Sequence, residues 1–331
     1  FITIGNTTHG DEIIIDDVSY SINEAIQAIT SPLEKVFTVK VDSDMDAKDA
    51  TFNGERKVYI AKNKVAKPTV VIPVFPGTNC EDDTRRAFEK AGAKVNEVLF
   101  LNRTSQDIND SIERLEKAIK EAQIVAFAGG FSAGDEPDGS GKFIASIFRS
   151  EKLKSAIHEH LYSRDGLMLG ICNGFQVLVK LGLLPYGEIR DMDSECPTLT
   201  YNTIGKHISL MAKTKITSAQ SPWLNRVQVG EIYEIPVSHG EGRFVAPTEI
   251  LEKLIDNGQV FSQYVDENGF PSKDGAVNVN GSMHNIEGIL SEDGRIIGKM
   301  GHSERVGSHV HINIPGKKDQ QIFLSGVEYF I

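Results

Sequence analysis

Between Val70 and Gly182 the chain alternates short apolar runs with amphipathic stretches, and this rhythm constrains the fold more than any other feature. Val70 to Phe75 is a continuous apolar run of the kind that a strand buried on both faces requires. A helix is predicted over about Glu81 to Ala91, stopped by Gly92. Strand Val95 to Leu101, helix Gln106 to Ala122 and strand Ile124 to Ala128 follow. After a glycine cluster come helices over about Lys142 to Tyr162, a strand over Leu167 to Ile171, and a helix from near Asn173 to Leu181-Gly182. This order predicts an α/β fold: a doubly wound, mostly parallel sheet flanked by helices. Ligands of such sheets gather at the carboxyl ends of the strands.

The flanks read differently. Residues 1–66 are expected to form a small α+β segment, with strands at Glu12–Ile15 and Val36–Val39, a helix over Ile22–Ile29, and an Asn53-Gly54 turn before a strand-like Lys57–Ile60. That segment is short for a core of its own. The polar stretch Ala61–Pro68 reads as a linker, so a second domain is expected over 67–331. The opening Phe1-Ile2-Thr3-Ile4 resembles the interior of a strand, as in a piece of a longer chain. Beyond Gly205 the pattern is β-like, at Glu231–Val237, Arg243–Ala246, Val260–Val265, Gly288–Leu290 and Arg295–Met300.

Composition excludes several function classes. A net charge of -11 with no Lys/Arg run argues against a nucleic-acid or anionic-membrane surface. No stretch approaches the roughly 20 apolar residues that span a bilayer, and no signal peptide opens the sequence. Three widely spaced cysteines do not make a disulfide framework, which points to a reducing, cytoplasmic setting.

The strongest local signal for chemistry is a strand, then Gly170-x-Cys172-x-Gly174, then a helix. This is the nucleophile-elbow pattern with cysteine in place of serine. A sulfur beside a helix N-terminus is favoured as the thiolate, and the N–H groups there can hold an oxyanion. A buried structural cysteine fits the same five residues equally well. A nucleophile also needs a base and an orienting group. His302 and Glu304 are two apart, so in an extended segment they project to one side, and the carboxylate can hold one ring nitrogen while the other faces the thiol. Gly129–Asp135 follows a strand, where glycine allows backbone N–H groups to face developing negative charge; a plain flexible loop is the alternative. Ser238–Phe244 interleaves His239, Glu241 and Arg243 with glycines. It suits either recognition of a zwitterionic ligand or a hairpin turn. No phosphate-binding loop is present, because Phe143 follows Gly141-Lys142 and Glu136 stands where the leading glycine belongs. His309-x-His311 reads as a strand face and no metal site is expected. Cys80 reads as a packed helix-start residue, and Cys196 has no partner pattern.

Together these residues resemble the class I (triad) glutamine amidotransferases, and within them the glutaminase domains of phosphoribosylformylglycinamidine synthases. The likeness rests on Gly170-Ile171-Cys172-Asn173-Gly174-Phe175-Gln176, Gly129-Gly130-Phe131-Ser132-x-Gly134-Asp135, His239-Gly240-Glu241-Gly242-Arg243 and Phe75-Pro76-Gly77-Thr78-Asn79-Cys80-Glu81. It covers about Thr69 to Ile331, and residues 1–66 resemble, more weakly, the end of the synthetase portion in the long single-chain form. The resemblance implies Cys172 as nucleophile, His302 as general base and acid, and Glu304 as its orienter. It implies Gly130, Phe131 and Asn173 as oxyanion donors, and Gln176, His239, Gly240, Glu241 and Arg243 around the glutamine. The implied partners are L-glutamine and the synthetase portion of the same polypeptide. The implied cofactors, ATP and Mg²⁺, belong to that synthetase portion and not to this chain. Two departures concern loop rigidity and spare the chemical side chains: Gly301 and Ser303 flank His302, and Val279 stands in Asn278–Ser282, where the family usually has proline. Two readings outside the class are a cysteine hydrolase on a related fold and a non-catalytic regulatory or docking domain. Gln176 and the distant His302-x-Glu304 speak against the first, and three intact triad members against the second.

Overall fold

The computed structural model describes residues 3–34, 42–43, 45–132 and 141–331. The chain divides into two compact units, Phe1–Val41 and Asp42–Ile331. In the first, β1 (Glu12–Ile15) and β2 (Val18–Ser21) pair antiparallel around Asp16 and Asp17, both at positive φ, as a two-residue hairpin turn requires. Helix α1 (Ile22–Glu34) follows and contains the expected Ile22–Ile29 helix. The expected strand at Val36–Val39, and the first two residues of the strand-like opening, lie outside the described residues.

The second unit is built on β3 (Thr69–Val74), α2 (Glu81–Lys90), β4 (Lys94–Leu99), α3 (Ser105–Glu121), β5 (Ile124–Phe127), α4 (Lys142–Phe148), α5 (Glu151–His158), β6 (Leu167–Ile171), α6 (Asn173–Leu181) and α7 (Leu183–Tyr186). It continues with β7 (Thr198–Thr200), β8 (Ile208–Ile216), β9 (Ile232–His239), β10 (Arg243–Val245), α8 (Thr248–Asp256), β11 (Val260–Tyr264), β12 (Ile286–Leu290), β13 (Ile296–Lys299) and α9 (Ile322–Glu328). Nine strands form one sheet in the order β4-β3-β5-β6-β13-β12-β11-β8-β9, flanked by helices as expected. The first five are parallel neighbours; from β13 to β9 every pairing is antiparallel. Every residue of β5, β6 and β13 is buried, which explains the unbroken apolar runs of β5 and β6; β13 ends in the buried Lys299.

The larger unit begins upstream of the sequence boundary at residue 66. The Ala50 N–H donates to Gln263 Oε1 at 2.9 Å, Phe52 N–H to the Thr217 carbonyl at 2.8 Å, and Val65 N–H to the Phe330 carbonyl at 2.8 Å. Lys57–Ile60 is not a strand. Among the described residues no strand pairs with it; the Gln220 side chain accepts the Lys57 N–H at 3.1 Å, and Val58 and Ile60 face solvent. Strand β8 and helices α8 and α9 lie where no element is expected from the sequence. Among the described residues, no helix is long and apolar enough to cross a membrane.

Candidate active site

The site is assembled by strand register. Strands β5, β6 and β13 run parallel side by side, with Phe127 opposite Gly170 and Ile171 opposite Lys299. Their carboxyl ends therefore emerge together, carrying Gly129-Gly130, Cys172 and His302 into one crevice. Cys172 caps α6 at φ 53°, ψ −109°, a left-handed conformation that costs a non-glycine residue on the order of 1–3 kcal/mol. Glycines on either side make this turn possible. A Cβ on Gly174 would overlap the Phe127 carbonyl, and one on Gly170 would lie 2.6 Å from the Gly174 carbonyl oxygen. The Cys172 N–H donates to the Lys299 carbonyl at 2.8 Å, tying the elbow to β13. Cys172 thus has the tight strand-to-helix turn of an elbow and is also buried.

His302 is 1 % exposed, and its Nδ1 lies 2.6 Å from Glu304 Oε1. The carboxylate accepts, so Nδ1 carries the proton and Nε2 is the nitrogen left for chemistry. It is buried without a hydrogen-bond partner. Burial pulls the imidazole pKa down, but the Glu304 carboxylate and the adjacent Cys172 thiol outweigh it and hold the value well above the usual histidine range. The thiol itself donates to the Ser238 carbonyl at 3.7 Å, a weak bond from which it can turn to Nε2. Gly129 makes room for this ring, since a Cβ there would sit 3.0 Å from both His302 Cε1 and Cys80 Sγ.

Of the three residues expected as oxyanion donors, Phe131 has its N–H bonded elsewhere. Thr78 and Gly130 form an antiparallel bridge in which the Phe131 N–H donates to the Gly77 carbonyl at 2.8 Å. Phe131 is therefore engaged away from the crevice, because a single N–H cannot serve both that carbonyl and an oxyanion well. The Gly130 N–H takes no part in the bridge, and Gly130 has φ 146°, a conformation open to glycine. Asn173 is the first residue of α6, where backbone N–H groups lack intrahelical partners. Gly134, Asp135 and Glu136 lie outside the described residues.

The segment after β9 is not a hairpin. β10 pairs with β7 rather than β9, so residues 239–243 cross from one sheet to another. Asn202, which no motif in the sequence marks, holds this crossing. Its Nδ2 donates to the His239 carbonyl at 2.8 Å and its N–H to the Gly240 carbonyl at 2.9 Å; its Oδ1 accepts the Gly242 N–H at 3.0 Å and His239 Nδ1 at 3.2 Å. His239 is fully buried, and burial, aided by the nearby His302 and His207, pushes its pKa down to about 3. Gln176 reaches from the first turn of α6 to the same segment, its Nε2 donating to the Glu241 carbonyl at 2.5 Å. Asn173 Nδ2 donates to Gln176 Oε1 at 3.1 Å. Arg243 is turned toward the Gly281 carbonyl, 3.2 Å from Nε. Asn280 Nδ2 supports the crossing from below, donating to the Gly242 carbonyl at 2.8 Å.

Cys80 also belongs to this neighbourhood. It starts α2, as read from sequence, and is buried, but Arg305 Nη2 lies 3.2 Å from its sulfur, and Cys80, His302 and Glu304 place donor atoms within 4.8 Å of one another. These three types of donor suit a soft divalent metal, although His302 Nδ1 is committed to Glu304. His309 and His311 lie in turns rather than on a strand, and His311 has φ 56°, incompatible with extended backbone.

A cysteine elbow, a buried His–Glu pair and an open sheet with converging parallel strand ends define the class I glutamine amidotransferase architecture. Residues 67–330 match the model of the CobB/CobQ-like glutamine amidotransferase domain, and the chain belongs to that family. It is 34% identical over 242 residues to phosphoribosylformylglycinamidine synthase subunit PurQ of Methanococcus maripaludis, covering 72% of this chain and 82% of that one. It is 31% identical over 244 residues to the same subunit of Aquifex aeolicus, covering 71% and 92%. Among solved structures it is similar to PurLQS from Thermotoga maritima, with a TM-score of 0.57 and 28% identity over 80% of this chain and 100% of the matched one.

Proposed function

We propose that this chain hydrolyses L-glutamine and supplies the ammonia with which a phosphoribosylformylglycinamidine synthase converts formylglycinamide ribonucleotide to formylglycinamidine ribonucleotide in purine biosynthesis. The observation that carries the reading is the left-handed Cys172 elbow beside a buried imidazole whose other nitrogen is held by Glu304. The Cys172 thiolate attacks the side-chain amide carbon of glutamine, and the oxyanion is held by the Gly130 and Asn173 N–H groups. The protonated His302 gives its Nε2 proton to the leaving nitrogen, releasing ammonia and a glutamyl thioester. His302 then takes a proton from water, whose hydroxide adds to the thioester and frees glutamate and the thiolate. Glu304 keeps the ring oriented and stabilises its charged form. Gln176 and the His239–Arg243 segment shape the glutamine pocket; His239 stays neutral there.

In this reading residues 1–66 are the end of a synthetase portion joined to the glutaminase in one polypeptide of the cytoplasm, and ATP and Mg²⁺ act in that portion. The start of the family match at residue 67, and the division of residues 1–41 from the larger unit, support it. The ammonia must pass to the synthetase site, so the chain alone is expected to be a weak glutaminase. Incubation with L-glutamine and intact-mass spectrometry tests the chemistry: a glutamyl adduct is expected on the wild type and absent from Cys172→Ala. An adduct retained by that variant sinks the assignment.

A further inference from the structure

Behind the crevice lies a pair of opposite charges that the mechanism above does not use. Lys299 and Glu287 are both 0 % exposed, with Nζ 3.5 Å from Oε1. Burying two ions is costly, and apolar residues of the same volume are often as stable or more so. The pair is connected to the active loop on both sides of the imidazole. Glu287 Oε1 accepts the Gly301 N–H at 2.7 Å. Lys299 Nζ donates to Ser303 Oγ at 2.7 Å and to Gln320 Oε1 at 2.5 Å, and Ser303 Oγ donates to the same Gln320 oxygen at 2.7 Å. His302 thus has each chain neighbour fixed by one member of the pair, while its own N–H donates to the Pro236 carbonyl at 2.9 Å. The nucleophile is tied in as well, since the carbonyl that accepts the Cys172 N–H belongs to Lys299. Burial pushes the Lys299 pKa down, and the Glu287 and Glu304 carboxylates oppose it.

We infer that Lys299, Glu287, Ser303 and Gln320 form a charged clamp of positioning residues that sets the imidazole of His302 against Cys172. The inference rests on the glutaminase reading for its main readout. It also has one that needs no glutamine, the rate at which iodoacetamide alkylates Cys172. The informative variant is Lys299→Met with Glu287→Gln, which removes both charges, keeps an acceptor oxygen near Gly301 and leaves no lone buried ion. It is expected to unfold at or above the wild-type temperature. It should nevertheless hydrolyse glutamine about 30-fold more slowly, with KM within about twofold, because an imidazole displaced by a fraction of an ångström loses its alignment. Alkylation of Cys172 at neutral pH should fall in parallel by about tenfold. Ser303→Ala should lose part of the same rate, and Ser303→Thr, which keeps the hydroxyl, should recover most of that loss. A double variant with wild-type turnover and alkylation overturns the clamp, as does Ser303→Thr behaving like Ser303→Ala. A wild type that alkylates normally but hydrolyses no glutamine counts against the functional reading alone, and the alkylation rates of the variants then decide the clamp.

Discussion

Two cysteines occupy strand-to-helix turns in the parallel half of this sheet, and both lie beside the same imidazole. Cys80 follows β3 and opens α2; Cys172 follows β6 and opens α6. They differ in backbone. Cys80 has φ −107°, ψ 14°, its thiol donates to Asn79 Oδ1 at 3.1 Å, and Arg305 donates to its sulfur. Cys172 has φ 53°, a conformation that only the close approach of Gly170 and Gly174 to neighbouring backbone allows. Proximity to a histidine and a helix N-terminus is common to both. What singles out Cys172 is a turn tight enough to thrust its side chain off the strand end.

The sharpest way to break that contrast is to remove each thiol in turn. Cys172→Ala should lower glutamine hydrolysis by roughly 10⁴ or more, and Cys80→Ala by less than about tenfold, measured as ammonia release. Comparable losses would mean that the backbone difference is irrelevant. Next in size is the residue two positions after each cysteine, Gly174 in one case and Asp82 in the other. Gly174→Ala forces a methyl into the Phe127 carbonyl and should cost about 3 kcal/mol or more in urea unfolding. Asp82→Ala, at the same offset from Cys80, loses an exposed pair with Arg85 and should leave the urea unfolding midpoint close to that of the wild type. The smallest effect concerns pH and separates the two buried histidines of the crevice. His239 titrates near 3 folded against 6.5 unfolded, so its contribution is present above 6.5 and is lost as pH falls toward 3. His302, raised when folded, contributes fully below 6.5 and loses that contribution as pH rises through its folded pKa. Thermal unfolding against pH should therefore show a flatter acid limb in His239→Asn and a flatter alkaline limb in His302→Asn. The slope removed is at most about 1.4 kcal/mol per pH unit for each group.

The elbow was legible because its determinants are local: a buried strand, two glycines and a helix start within a few residues. His302 and Glu304 were legible because their spacing alone aligns them. The rest depends on partners far along the chain. Asn202 matters only because His239 to Gly242 fold back onto it. Lys299 reads as one polar residue at the end of a strand, and its burial becomes intelligible only with Glu287 and Gln320 in view. β8 escaped notice because Lys213 and Lys215 interrupt its apolar pattern; one pairs with Glu234 and Glu267, the other, buried, with Asp49. Lys57–Ile60 failed in the opposite sense, having the composition of a strand without a neighbour to pair with. Gly301 and Ser303, which read as a loss of rigidity beside His302, are the two residues that Glu287 and Lys299 hold.

The ladder between β6 and β13 carries one more lesson, about length variation. Cys172 and His302 are far apart in sequence, yet Ile171 standing opposite Lys299 brings their strand ends together. Residues inserted or deleted in the loops of the long excursion between them should leave both groups in place, provided that the ladder and the contacts from Pro236, Ser238 and Glu287 re-form. A single residue added between Lys299 and His302 would instead turn the imidazole to the other face of the strand extension. Tolerance to indels should therefore be broad in those loops and vanish within those few positions.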